Sequence, residues 1–120
     1  MWSILIVDDH GPFRVVVREM LERDGFRVVG EAADGTGAVD AVRTLRPDVV
    51  LLDVHLPDDD GFSVCERIQG LWPTPAVVLT SSHDISSFRR RLRTSQARGF
   101  ISKTDLTPAA LMTLLEADRP

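Results

Sequence analysis

The chain is short of cysteine, of long apolar runs and of strong net charge, and each shortage excludes something. Its single cysteine, Cys65, cannot form an internal disulfide, which agrees with a reducing compartment. No long uncharged apolar run occurs, so no transmembrane helix is expected. The first residues, Met1-Trp2-Ser3, lead straight into Ile4-Leu5-Ile6-Val7 without a basic stretch or a cleavage site, so a signal peptide is not expected either. A formal charge of −4 argues against a domain that wraps nucleic acid. Internal repeats, low-complexity tracts and linkers are also missing. The last three residues, Asp118-Arg119-Pro120, read either as a natural end or as the start of a linker. What remains is 120 residues, 43% of them hydrophobic, enough for one self-supporting domain spanning 1–120.

The apolar residues come in short bursts. Val49-Val50-Leu51-Leu52 reads as a strand buried on both faces, and it stops at Asp53. Ile4-Leu5-Ile6-Val7 is a second such run, ending in Asp8-Asp9, and Ala76-Val77-Val78-Leu79-Thr80 is a third. Phe26–Ala32 is weaker and edge-like, and Gly99–Lys103 is short. Helical faces lie between them: Phe13, Val16, Val17, Met20 and Leu21; then Ala38, Ala41, Val42 and Leu45; then Phe62, Val64 or Cys65, Ile68 and Leu71. Asp84 is expected to cap a fourth helix with Ile85, Phe88 and Leu92 inward, and Thr107-Pro108 to start a fifth carrying Leu111, Leu114 and Leu115. Fivefold alternation of strand and helix calls for an α/β fold, a doubly wound five-stranded parallel sheet with helices on both faces.

In such a sheet the strand ends share one edge, where ligands bind. Asp8, Asp9, Asp53, Thr80 and Lys103 would meet there. Three close carboxylates raise one another's pKa unless a cation sits among them, and oxygen-only donors favour a hard ion such as Mg²⁺. Lys103 would neutralise further charge. An aspartate in that setting can attack phosphorus and hold it as an acyl phosphate. Asp58, Asp59 and Asp60 read as N-terminal charges of the third helix. His10 and His83 read as loop residues, and Cys65 as helix packing. Gly35-Thr36-Gly37 lacks the Gly-Lys-Ser/Thr of a phosphate loop and reads as a turn.

Val7-Asp8-Asp9-His10, Leu52-Asp53-Val54-His55-Leu56-Pro57 with Gly61, Leu79-Thr80-Ser81 and Phe100-Ile101-Ser102-Lys103 resemble the receiver domain of two-component response regulators, in order and spacing, over essentially the whole chain. The Asp-Asp-His opening and the lack of proline after Lys103 are most similar to the NarL/FixJ subgroup. The resemblance implies a flavodoxin-like, CheY-like fold. It implies Asp53 as phosphoacceptor, and Mg²⁺ on Asp8, Asp9, Asp53 and the His55 backbone carbonyl. Thr80 and Lys103 would bind the phosphoryl group, and Thr80 with Phe100 would form the switch. The partners implied are a sensor histidine kinase, a helix-turn-helix output domain beyond this chain, and a second copy through the fourth helix, fifth strand and fifth helix. The expected compartment is the cytoplasm, without membrane or direct nucleic-acid contact. The chain would catalyse its own phosphorylation and dephosphorylation without being a conventional enzyme. A pseudo-receiver that never meets phosphate is one alternative. An aspartyl phosphohydrolase is another, but its second acid would fall where His55 stands. Departures are Thr104 in place of proline, Leu56 for methionine, and the basic run Arg89-Arg90-Arg91-Leu92-Arg93, which reads as a solvated face or a docking surface.

Overall fold

In the computed structural model, residues 1–117 are described; the reading of Asp118–Pro120 lies outside them. Five strands form one parallel sheet: β1 (Ser3–Val7), β2 (Arg27–Ala32), β3 (Val49–Asp53), β4 (Ala76–Ser81) and β5 (Gly99–Ser102), in the order β2-β1-β3-β4-β5. The helices between them are α1 (Gly11–Arg23), α2 (Gly35–Leu45), α3 (Gly61–Gln69), α4 (Arg89–Thr94) and α5 (Pro108–Glu116). This is the expected doubly wound fold, with β2 on one edge.

Alternation along the strands sorts the core into two layers. Leu5, Val7, Val50, Leu52, Val77 and Leu79 point to one face, against Val39 and Val42 of α2 and Val64 and Ile68 of α3. Ile4, Ile6, Val49, Leu51 and Val78 point to the other, against Val17 and Leu21 of α1 and Leu111 and Leu115 of α5. The central strands are buried on both faces, which is why their sequences run apolar without a break.

Three expectations about the helices need correction. Val16 is 63% exposed, because α1 rests on the sheet through Val17 and Leu21 alone at full burial. Leu45 is 42% exposed; its Cδ1 lies over Gly30 of β2, 2.7 Å from where a Cβ would stand. Asp84 does not cap α4. It accepts from Ser86 N at 3.0 Å and closes a 3-10 turn over Ile85–Ser87, and α4 starts afresh at Arg89 with Phe88 before it. Phe88 and Leu92 do pack on the core as expected; the Ile85 side chain lies outside the described residues. Among the described residues the one cis peptide is Trp72-Pro73, so the bond after Lys103 is trans.

Candidate functional site

Register brings the polar ends together. Val7 pairs with Leu52, Asp53 with Thr80, and Ser81 with Ser102, so Asp8, Asp53, Thr80 and Lys103 reach the same edge. Asp8 is wholly buried and Asp53 is 4% exposed, whereas Asp9 is exposed. Asp8, Asp9 and Asp53 each place a carboxylate oxygen within 4.8 Å of the others.

Backbone amides orient two of these acids. His10 N donates to Asp8 Oδ1 at 2.9 Å, and His55 N donates to Asp53 Oδ1 at 3.1 Å. The Lys103 ammonium lies 2.7 Å from Asp8 Oδ2 and 3.3 Å from Asp53 Oδ2, and 4.3 Å from the centre of the Phe13 ring. The Lys103 backbone N donates to Ser81 O at 2.9 Å, which fixes the residue just past β5. Burial pushes the Asp53 carboxyl above its ordinary range and Asp8 adds to the rise, against the His55 amide and Lys103, which oppose it. Burial would lower the Lys103 pKa, but Asp8 and Asp53 outweigh it and the net direction is up.

Two buried atoms are left wanting. Thr80 Oγ1 has no hydrogen-bond partner, and Asp8 Oδ2 faces Lys103 as an ion pair without an aligned hydrogen bond. Buried polar atoms without partners are uncommon and call for an explanation. A hard cation among the three acids and an anion reaching Thr80 would satisfy both. The donor set fits such a cation: it offers oxygen alone, and too few carboxylates to wrap a large ion.

The β3–α3 loop is held from several sides. Gly61 N donates to Val54 O at 2.6 Å, and a Cβ on Gly61 would strike the Asp53 carbonyl oxygen and stand 2.8 Å from Val54 Cα. Only glycine lets α3 begin this close to the end of β3. Asp60 caps α3 by accepting from Ser63 N at 3.0 Å, as expected. Asp58 does something else. It accepts from Gly35 N at 2.7 Å and Thr36 N at 3.0 Å, so it ties down the first turn of α2, which Asp34 caps, rather than that of α3. Asp59 accepts from Asp60 N and sits 3.8 Å from Arg67.

Other contributors carry no motif. Arg14 Nη1 donates to the Asp8 carbonyl at 2.5 Å while its Nε donates to Glu31 at 2.9 Å, and Arg18 donates to the second Glu31 oxygen at 2.7 Å. The β1–α1 turn is thus tied to β2. The His55 ring lies against His83 and Phe88, with centroids 4.7 and 5.7 Å apart, and Phe88 reaches half-buried Phe100 at 6.2 Å. A ladder of rings therefore runs from the residue two places past Asp53 to β5. His10 is exposed, and Cys65 is buried, which raises its thiol pKa. No helix among the described residues is long and apolar enough to cross a membrane.

Residues 4–116 match the response regulator receiver domain family. A protein of Pseudomonas aeruginosa described as a transcriptional regulator is 38% identical over 105 residues, which is 88% of this chain and 51% of that protein. A protein-glutamate methylesterase/protein-glutamine glutaminase of Hahella chejuensis is 42% identical over 83 residues, 69% of this chain and 24% of that enzyme. The chain spans about half the length of the first of these relatives and about a quarter of the second. Among solved structures, a LuxR-family two-component response regulator from Aurantimonas superposes with a TM-score of 0.86 at 31% identity, covering 98% of this chain and 84% of that one. The signal receiver domain of NarL from Mycobacterium tuberculosis superposes at 0.84 with 32% identity, covering 98% of each.

Proposed function

This chain belongs to the response regulator receiver domain family, and from that premise we propose that Asp53 takes a phosphoryl group from the phosphohistidine of a sensor histidine kinase. The carrying observation is the meeting of three acids, one ammonium and one unpartnered hydroxyl at a single sheet edge. A carboxylate oxygen of Asp53 attacks phosphorus, the O–P bond forms, and the N–P bond to the kinase imidazole breaks. The product is an acyl phosphate. Lys103 already bridges Asp8 and Asp53 and needs only a small shift to pair with a phosphoryl oxygen. Thr80 Oγ1, buried without a partner, would donate to a second oxygen.

Mg²⁺ is the proposed cofactor, held by Asp8, Asp9, Asp53 and the His55 backbone carbonyl. When bound it supplies positive charge against the transferred phosphoryl oxygens. The His55 amide holds Asp53 Oδ1 while Lys103 faces Oδ2, so the acceptor carboxylate is aimed before transfer. Movement of Thr80 toward the phosphoryl group would vacate space beside β5 into which Phe100 turns. Phe88 would follow through its ring contact and carry α4 with it. Phosphorylation thus biases an existing equilibrium of the face built from α4, β5 and α5.

The chain would catalyse this transfer to itself, and the reversal, without turning over an outside substrate. The matched segments make up about half of its relatives described as transcription regulators, and we assign the output, a helix-turn-helix domain, to sequence beyond this chain. We infer that the exchange takes place in the cytoplasm. Intact mass before and after acetyl phosphate with Mg²⁺, followed by peptide mapping, tests the proposal. One phosphoryl adduct on Asp53, lost in Asp53→Asn and without Mg²⁺, is expected. An adduct that persists in Asp53→Asn overturns it.

A further inference from the structure

The helix α4 departs from the rest of the chain in charge and in its ends. Residues 89–93 contain four arginines, while the chain as a whole carries −4, so the remainder carries −8. Arg91 is occupied: it pairs with Asp60 at 2.8 Å and lies 4.5 Å over the Phe62 ring. Arg89, Arg90 and Arg93 are exposed, and among the described residues no carboxylate pairs with their guanidinium groups. At 3.6 residues per turn these three fall within a sector of about 100°. Arg91 lies on the other flank, toward α3.

This arrangement works against the helix that carries it. Arg89 and Arg93 are like charges at i,i+4, and Arg89 and Arg90 place cations at the positive end of the helix dipole. The helix has six residues, no acid in its first turn and no side-chain cap, with Phe88 at the capping position. By contrast α2, α3 and α5 are capped by Asp34, Asp60 and Thr107. An anion lying over Arg89, Arg90 and Arg93 would remove both penalties at once.

We propose that this face of α4 docks an acidic segment of a partner protein, rich in Asp and Glu. It deepens the output side of the proposed switch and rests on it only in taking α4 as a face that is read. A symmetric second copy is disfavoured, because a twofold contact through this face would bring six unpaired guanidinium groups together. Duplex DNA is disfavoured too. Its phosphates extend well past a patch about 6 Å long, onto the acids of a remainder that carries −8. A short carboxylate-bearing segment fits the patch without meeting them.

The test titrates the unphosphorylated chain into a fluorescein-labelled peptide with a short Glu/Asp run flanked by neutral residues at low salt, with a random-sequence DNA duplex and a Lys-rich peptide in parallel. Phosphodonor is omitted, so the result does not depend on whether Asp53 accepts phosphate. The acidic peptide should bind, lose affinity as salt rises, and bind about tenfold or more weakly to the triple variant R89Q/R90Q/R93Q. Thermal unfolding of the triple variant should be at or above that of the parent, since repulsion has been removed. Absence of peptide binding, equal binding by the triple variant, or tighter binding of the duplex would each overturn the proposal. So would a parent dimer in sedimentation that the triple variant lacks, or a triple variant that melts lower.

Discussion

Replacing Asp53 by asparagine should stabilise the protein when no divalent cation is present, although it removes the proposed phosphoacceptor. The reasoning starts from the neighbours. Asp8 and Asp9 approach Asp53 to within 4.8 Å, and Lys103 opposes them at 3.3 Å. At an effective dielectric of about 20, a pair at the first distance is worth about 3.5 kcal/mol and one at the second about 5 kcal/mol. Asp8 is buried and counts nearly in full, while exposed Asp9 is screened and counts for less. Repulsion and attraction therefore come close to cancelling. What remains is the cost of taking the carboxylate out of water, several kcal/mol, offset in part by the His55 amide bond at about 1.5–3 kcal/mol. The balance disfavours the ionised form, in the same direction as the raised Asp53 pKa.

Asparagine keeps an oxygen for the His55 amide, and Lys103 keeps Asp8 at 2.7 Å. A gain of about 1–2 kcal/mol, or about 4–8 °C in midpoint, is expected in EDTA. Mg²⁺ should close or invert the gap. At a hundred times its Kd it would stabilise the parent by about 2.7 kcal/mol, and asparagine offers it one fewer anionic ligand. Thermal and urea unfolding in EDTA and in Mg²⁺ measure both effects. An Asp53→Asn variant less stable than the parent in EDTA, or the same Mg²⁺ increment in both, would refute the reasoning.

Thr80→Val should leave metal-free stability unchanged or raise it by up to about 1 kcal/mol, because a buried hydroxyl without a partner is replaced by an isosteric methyl; a marked fall in the midpoint would contradict the assignment. Gly61→Ala should cost about 1–3 kcal/mol in urea unfolding and slow phosphoryl uptake, because the new methyl meets backbone at the Asp53 carbonyl. Arg14→Ala should weaken Mg²⁺ binding about tenfold by calorimetry, since the Asp8 carbonyl loses its donor; unchanged affinity would reduce Arg14 to a surface ion pair. Glu31→Gln should show the pH sign of a depressed acid. Arg18 first, and then Arg14, hold the Glu31 pKa below its ordinary value despite some desolvation, so its contribution is present above the ordinary glutamate range and fades as pH falls through the lower folded value. The parent should exceed the variant by about 0.5–1 kcal/mol at neutral pH and match it in acid; a gap that widens in acid would contradict this.

The sheet and its edge were legible because their signals are local or follow from topology. An apolar run ending in Asp53 marks a strand and its terminus together, and parallel order then aligns Asp8, Thr80 and Lys103 with it. Helix faces were legible less well. Val16 follows the helical period as closely as Val17, and only the angle at which α1 meets the sheet separates them. Asp58 was illegible for a different reason. Its partners Gly35 and Thr36 lie 23 and 22 residues away, whereas capping rules read from sequence span three or four. The tie from Arg14 to the Asp8 carbonyl was hidden likewise, because an arginine reaching a backbone oxygen leaves no pairing in composition.

The departures from local good form are not scattered. Thr80 lacks a partner, Asp53 and Asp8 crowd one ammonium, and α4 starts without a cap under three unpaired arginines. Phe88 joins these places, since its ring touches His55 beside the acids and Phe100 on β5 and immediately precedes α4. A sequence whose local preferences agree everywhere would hold one conformation firmly, whereas misfits kept at connected positions leave a second within a few kcal/mol. A two-state element needs such a small gap, because a ligand shifts an equilibrium only by its differential affinity for the two states. Capping α4 while leaving every acid in place separates the two accounts. Phe88→Asp supplies the missing cap but cuts the ring ladder. Ser87→Asp places a carboxylate two residues ahead of the helix, just before the capping position, and leaves Phe88 intact. If local misfit sets the gap, Ser87→Asp should raise the midpoint and blunt the phosphodonor response, and Phe88→Asp should abolish that response whatever it does to stability. A Ser87→Asp protein that is more stable and still responds in full would place the gap elsewhere.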